Sequence, residues 1–173
     1  MNDSGCYLHI KYIFIDVDGT MTDGCFYMSE FGSIHKCFHT LDAVAINRLC
    51  QDGYIVIFIT GSKDHTISSR INSWSFKDKI KVLTGIHDKF FCIQEFLNNH
   101  SSTWNEVFFI GDAENDYKCI SFSGFSACPQ NAIPEIKEIV HYSSDVHGGK
   151  GAVYDCVRRF YSLNKIDWMK GFA

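Results

Sequence analysis

The sequence predicts an α/β fold: a doubly wound, mostly parallel sheet with helices on both faces and a β-hairpin inserted after the first strand. Three observations carry this. Short apolar runs rich in β-branched and aromatic residues alternate with helix-periodic stretches. The runs are continuously hydrophobic, as strands covered on both faces must be. Most of them close on Gly, Asp or Thr, the residues expected where a ligand meets the carboxyl ends of parallel strands.

Taken in order, the runs are YIFIDV (12–17), YIVIFIT (54–60), IKVLTG (80–85), EVFFIGD (106–112), GFSAC (124–128) and the weaker IVHYSS (139–144). Helical spacing lies between them. Leu41, Val44, Ala45 and Leu49 fall on one helix face, and Gly53 is the stop. Phe90, Ile93 and Leu97 do the same after Asp88. Pro134 sits at a first helical turn, just after Asn131, and the last helix is expected over 151–161. One segment breaks the alternation: Asp23 to Thr40, where Phe26, Met28 and Ile34 alternate around a Phe31-Gly32 turn and predict a hairpin over 24–39. The whole chain, 1–173, is expected to be one domain. Its tail, 162–173, is expected to be loosely ordered, with Trp168 and Phe172 apolar enough to dock.

Composition narrows the class. At 46% hydrophobic and 21% charged the chain is an ordinary soluble globular protein, and its net charge of −4 predicts neither a nucleic-acid nor an acidic-membrane partner. No apolar run reaches the ~20 residues of a membrane span, and the N-terminal residues lack a signal-peptide pattern. A cytoplasmic protein is the expectation. The eight cysteines form no C-x-x-C pair, so they are expected to be reduced, buried thiols.

The chemistry is concentrated at the strand ends. The first strand delivers Asp16 and Asp18, the second Thr60, Gly61 and Ser62, and the fourth Asp112 with Asp116 four residues on. Lys89 opens the helix after the third strand. A phosphomonoester dianion repels an anionic nucleophile, and a hard divalent cation held by Asp16 and Asp112 cancels that repulsion. Asp16 can then attack phosphorus, while Asp18 protonates the leaving oxygen and later activates water. Thr60 and Lys89 would hold the transferring oxygens. Gly19 lets the backbone bend so that its N–H groups reach phosphate. Singly, each residue has a plainer reading as a helix cap or a solvated side chain. Two acids closing an apolar strand are costly without cations nearby.

DVDGT, TGS, DK and GDAEND, in that order, resemble the four motifs of the haloacid dehalogenase superfamily, whose members are mostly phosphatases. The likeness spans nearly the whole chain. It implies Asp16 as nucleophile, Asp18 as general acid/base, and Thr60 and Lys89 as phosphate contacts. It also implies Mg²⁺ bound by Asp16, the Asp18 backbone carbonyl and Asp112, with Asp116 in support. Larger members carry a cap domain; here the two insertion points hold too little chain, so no cap domain is expected.

IDVDGTMTDGCFYMSEFG, FHTLDAVAI and HGGKGAVYDCVRRF together resemble the 3-deoxy-D-manno-octulosonate 8-phosphate phosphatase subfamily. That resemblance implies a phosphorylated sugar acid as substrate, lipopolysaccharide biosynthesis as setting, and a homotetramer in which residues 23–38 serve assembly and the pocket. Gly148, Gly149 and Gly151 would form the loop before the last helix. Two departures bear on the substrate. Ser62 stands where the subfamily has Arg or Glu, and Tyr154 and Asp155 stand where it has Arg and Glu. Arg70, Lys150 or His147 would have to supply the cation for a sugar carboxylate. An N-acylneuraminate or nonulosonate 9-phosphate is the alternative substrate, and a non-catalytic oligomerisation domain the alternative of another class. A phosphoacceptor receiver domain fits poorly, because the third strand ends in Leu83-Thr84-Gly85 without an acid.

Overall fold

The computed structural model describes residues 7–172. Strands β1 (Tyr12–Asp16), β4 (Ile55–Ile59), β5 (Ile80–Leu83), β6 (Val107–Ile110), β7 (Phe125–Cys128) and β8 (Tyr142–Ser143) form one sheet in the order β5-β4-β1-β6-β7-β8. Every pairing in it is parallel. The chain runs outward from β1 to β5, then returns to the other side of β1. The reversal opens a crevice at the carboxyl end of the central strand, where ligands bind in such sheets.

Alternation along each strand sorts the core into two layers. Ile13, Ile15, Val56, Phe58, Phe108 and Ile110 face helices α1 (Thr40–Gln51), α2 (Thr66–Asn72) and α6 (Ala152–Leu163). Tyr12, Phe14, Ile57, Ile59, Val107 and Phe109 face α3 (Lys89–Asn99), α4 (Tyr117–Phe122) and α5 (Pro134–Ile139). Each of the fully buried aliphatic and aromatic side chains contributes about 1.5–3 kcal/mol by leaving water. Two covered faces explain why the strands read as unbroken apolar runs. No helix of the described residues is long and apolar enough to cross a membrane.

The expected hairpin forms from β2 (Tyr27–Met28) and β3 (Ile34–His35), closed by a turn in which the Gly32 N–H donates to the Ser29 carbonyl. Its apolar side chains do not reach the core: Phe26, Tyr27, Met28 and Phe31 are 51–89% exposed.

Three expectations need correction. Leu41 and Val44 are exposed; the buried side of α1 is instead Asp42, Ala45, Ile46 and Leu49. The reason is Asp42, whose Oδ1 accepts from the Tyr154 N–H at 2.9 Å at the start of α6, where Gly151 offers no side-chain cap. That bond turns α1 so that Leu41 and Val44 face outward. Not all thiols are buried, since Cys25 and Cys37 are carried outward on the hairpin; Cys6 lies outside the described residues. The described part of the tail is packed: α6 continues to Leu163, and Trp168 packs edge-on against Tyr154 and Tyr161. The side chain of Phe172 lies outside the described residues.

Candidate active site

Strand β1 ends at Asp16, and the chain then leaves the sheet in a tight turn over 17–21. Gly19 has φ +95°, and a Cβ there would overlap the Asp112 carboxylate. The turn therefore requires glycine both for its conformation and for the close approach of Asp112. Asp112 follows β6, immediately beside β1, and its Oδ1 accepts from Thr20 Oγ1 at 3.0 Å.

Lys89, 1% exposed, lies beneath these acids. Its Nζ is 2.5 Å from Asp16 Oδ1 and 2.7 Å from Asp116 Oδ1. The second oxygen of Asp116 accepts the backbone N–H groups of Asp112 and Ala113, which fixes the loop that presents Asp112. Burial, reinforced by the Asp116 charge, pushes the Asp16 carboxyl well above its ordinary range, with Lys89 opposing. Burial and Asp116 likewise push Asp112 up to about 6. Burial alone would depress the Lys89 ammonium, yet the Asp16 and Asp116 carboxylates together hold it above its usual range.

Asp16, Asp112 and Asp116 each offer an oxygen within 4.8 Å of the others. Three carboxylates share one ammonium, so the cluster carries excess negative charge in a space that a Cβ on Gly19 would close. Hard oxygen donors in this arrangement fit a divalent cation. The Asp18 side chain is turned elsewhere: Oδ2 accepts from Thr60 Oγ1 at 3.0 Å, and Oδ1 pairs with Lys36 at 2.6 Å. Of Asp18, only the backbone carbonyl is left for the cation role expected from the sequence. Thr60 meanwhile accepts the Ser62 N–H at 3.0 Å.

The remaining expected residues are more dispersed. Gly61 and Ser62 follow β4 at the same rim, and Ser62 Oγ donates to Asp64 rather than facing Asp16. Arg70 is on α2, its guanidinium 5.3 Å over the Trp74 ring. It lines an open cleft of ≈ 680 Å³ between α2 and the hairpin, together with Lys36, His35 and His65. Lys150 is exposed on the loop before α6. Tyr154 and Asp155 turn inward: Tyr154 packs on Trp168, and Asp155 Oδ2 accepts from Tyr142 and Ser144 at 2.7 Å each.

Sequence reasoning missed three participants. Lys36 is the only Lys or Arg between Asp23 and Thr40, a signal that was available. Asp64 closes the Lys36 pair from the β4–α2 loop at 2.6 Å. Asn131 caps no helix: its Nδ2 donates to the Gly19 carbonyl at 2.8 Å, and its Oδ1 accepts the Gly148 N–H at 2.6 Å. No local pattern marks that clamp.

Four motifs thus meet at one sheet rim. Residues 62–156 match the family model of haloacid dehalogenase-like hydrolases. Over 166 residues the chain is 30% identical to the 3-deoxy-D-manno-octulosonate 8-phosphate phosphatase of Yersinia pestis, covering 95% of this chain and 87% of that one. It belongs to the haloacid dehalogenase-like hydrolases. Among solved structures, the Y. pestis enzyme superposes with a TM-score of 0.86 at 27% identity, covering 95% of this chain and 88% of that one. The cobalt-bound form of the Haemophilus influenzae deoxy-D-mannose-octulosonate 8-phosphate phosphatase does so with a TM-score of 0.84 at 25% identity, covering 97% and 99%.

Proposed function

We propose that this chain is a magnesium-dependent phosphatase that hydrolyses a 2-keto-3-deoxy sugar acid phosphate, 3-deoxy-D-manno-octulosonate 8-phosphate, through an aspartyl-phosphate intermediate. The observation that carries the reading is the pairing of Asp16, held by Lys89 at 2.5 Å, with Asp18, held apart from it by Thr60 and Lys36. Two carboxylates two residues apart are thereby given different partners and different work. Asp16 attacks phosphorus; Asp18 donates a proton to the leaving oxygen, then takes one from the water that cleaves the acyl phosphate. Lys89 offers three N–H donors and spends two on Asp16 and Asp116, which leaves one for a phosphate oxygen. Asp16, Asp112 and the Asp18 carbonyl, with Asp116 behind, would hold Mg²⁺, which would supply a Lewis acid to offset phosphate charge.

The substrate comes from the named relatives of Y. pestis and H. influenzae. The cleft beside Asp18 supports a carboxylated substrate, because Arg70 brings a cation to it while Tyr154 and Asp155 are committed to other partners. The exposed Phe26, Tyr27, Met28 and Phe31, with Leu41 and Val44, support assembly into a homotetramer. We assign the protein to the cytoplasm.

Phosphate release should be measured with Mg²⁺ and with EDTA across octulosonate 8-phosphate, N-acylneuraminate 9-phosphate, hexose phosphates and 4-nitrophenyl phosphate. Preference for the octulosonate, loss in EDTA and loss in Asp16→Asn are expected. Preference for the neuraminate would move the substrate to the nine-carbon acids. No release from any substrate would make the chain a non-catalytic assembly domain.

A further inference from the structure

Lys36 has no part in the steps just described, yet it is the most constrained side chain of an otherwise exposed hairpin. Its side chain is 1% exposed, with Nζ 2.6 Å from Asp18 and 2.6 Å from Asp64. The ammonium also lies 4.7 Å from the Phe26 ring centroid. Asp64 is fixed independently of it, accepting from the Ser62 hydroxyl and from the Thr66 hydroxyl and N–H. These donors and Lys36 outweigh burial and hold the Asp64 carboxyl well below its usual range. Asp18, by contrast, has left the sheet, since β1 ends at Asp16. No strand ladder sets its direction; Lys36 and Thr60 do.

A buried ammonium that loses a carboxylate partner is left with its desolvation uncompensated, which favours keeping these three groups together. We propose that Lys36 is a positioning residue for Asp18: the hairpin aims the acid/base through this ammonium, with Asp64 as its anchor. The inference rests on Asp18 acting as the general acid proposed above. In the step concerned, an Asp16 oxygen bonds to phosphorus as the bond from phosphorus to the leaving oxygen breaks, and the Asp18 carboxyl proton passes to that oxygen. A displaced Asp18 costs most when the leaving group is a poor one. An alkoxide needs the proton; 4-nitrophenolate scarcely does.

The experiment compares kcat and KM on the sugar-acid phosphate, a primary alkyl phosphate, and on 4-nitrophenyl phosphate. The variants are Lys36→Met, Lys36→Arg, Asp64→Asn and Asp18→Asn, with thermal unfolding as the check on folding. A general acid supplies ~10²–10⁴ in rate, and Lys36→Met should forfeit roughly tenfold to a hundredfold of it in kcat on the alkyl phosphate. Its loss on 4-nitrophenyl phosphate should be smaller by about tenfold. Lys36→Arg should recover part of the loss, and Asp64→Asn should show the same leaving-group dependence more weakly. Equal losses on both substrates, or a change in KM alone, would overturn the positioning role. If Lys36→Met does not fold, Asp64→Asn decides by the same criterion. Should Asp18→Asn itself lack leaving-group dependence, the assignment of Asp18 falls, which is a separate failure.

Discussion

Replacing Lys89 with methionine removes the one ammonium beneath Asp16, Asp112 and Asp116 while keeping an apolar stem of similar length. Each of its two ion pairs, at 2.5 and 2.7 Å, carries about 6 kcal/mol of attraction at an effective dielectric of about 20. Desolvation of the lysine offsets much of that, and breaking such a buried pair costs about 3–5 kcal/mol net. The cost should depend on pH. In the variant, Asp16 and Asp112 titrate still higher than they do beside Lys89, where Asp112 already sits at about 6. Acids whose folded pKa is raised keep their stability at low pH and lose it as pH rises through that pKa. The penalty should therefore be larger at pH 8 than at pH 5. Mg²⁺ at a hundred times its dissociation constant should return up to about 2.7 kcal/mol. Urea unfolding of both proteins at the two pH values, with and without Mg²⁺, reads all of this, and phosphate release should fall by about 10²-fold or more. A variant within about 1 kcal/mol of the parent at both pH values, with the same response to Mg²⁺, would refute the charge balance argued for the site.

Two further perturbations test other parts of the structure. Asp42 is fully buried with Oδ2 unpartnered, and burial pushes its carboxyl up to about 7. It should withdraw about 2 kcal/mol of stability between pH 5 and pH 8, so Asp42→Asn should flatten the pH profile of urea unfolding and gain on the parent at pH 8; parallel profiles would sink this. Phe31→Glu with Met28→Glu places charge on the exposed hairpin, and light scattering should show the assembly reduced to smaller species with the fold retained; an unchanged mass would remove the hairpin from the interface.

The sheet was legible in the sequence because strands buried on both faces have no polar side to confuse the pattern. The acids at its rim were legible for the opposite reason: Asp16 and Asp112 are out of place at the ends of apolar runs. The inward side of α1 was not, because periodicity weighs Leu41 and Val44 above Asp42. A buried carboxylate capping a helix 112 residues away leaves no local mark. The hairpin's alternation was real, but Phe26, Tyr27, Met28 and Phe31 stay largely exposed rather than joining the core. Asp116 was placed behind the metal and holds Lys89 as well. Ser62 donates its hydroxyl to Asp64, a pairing visible only once the turn after β4 is folded.

Gly148 and Gly149 lie so close to the turn after β1 that a Cβ on either would strike the backbone around Gly19, Thr22 and Asp23. Asn131 ties the same turn down from the Gly19 carbonyl. The bend that follows Asp16 is thus shaped by chain more than a hundred residues downstream, a closure of high sequence separation. Asp16 and the surface that sets its turn are far apart in the chain and adjacent in the fold. A chain that stops short of residue 149 would carry every motif acid and still lack the mould that shapes the turn after Asp16.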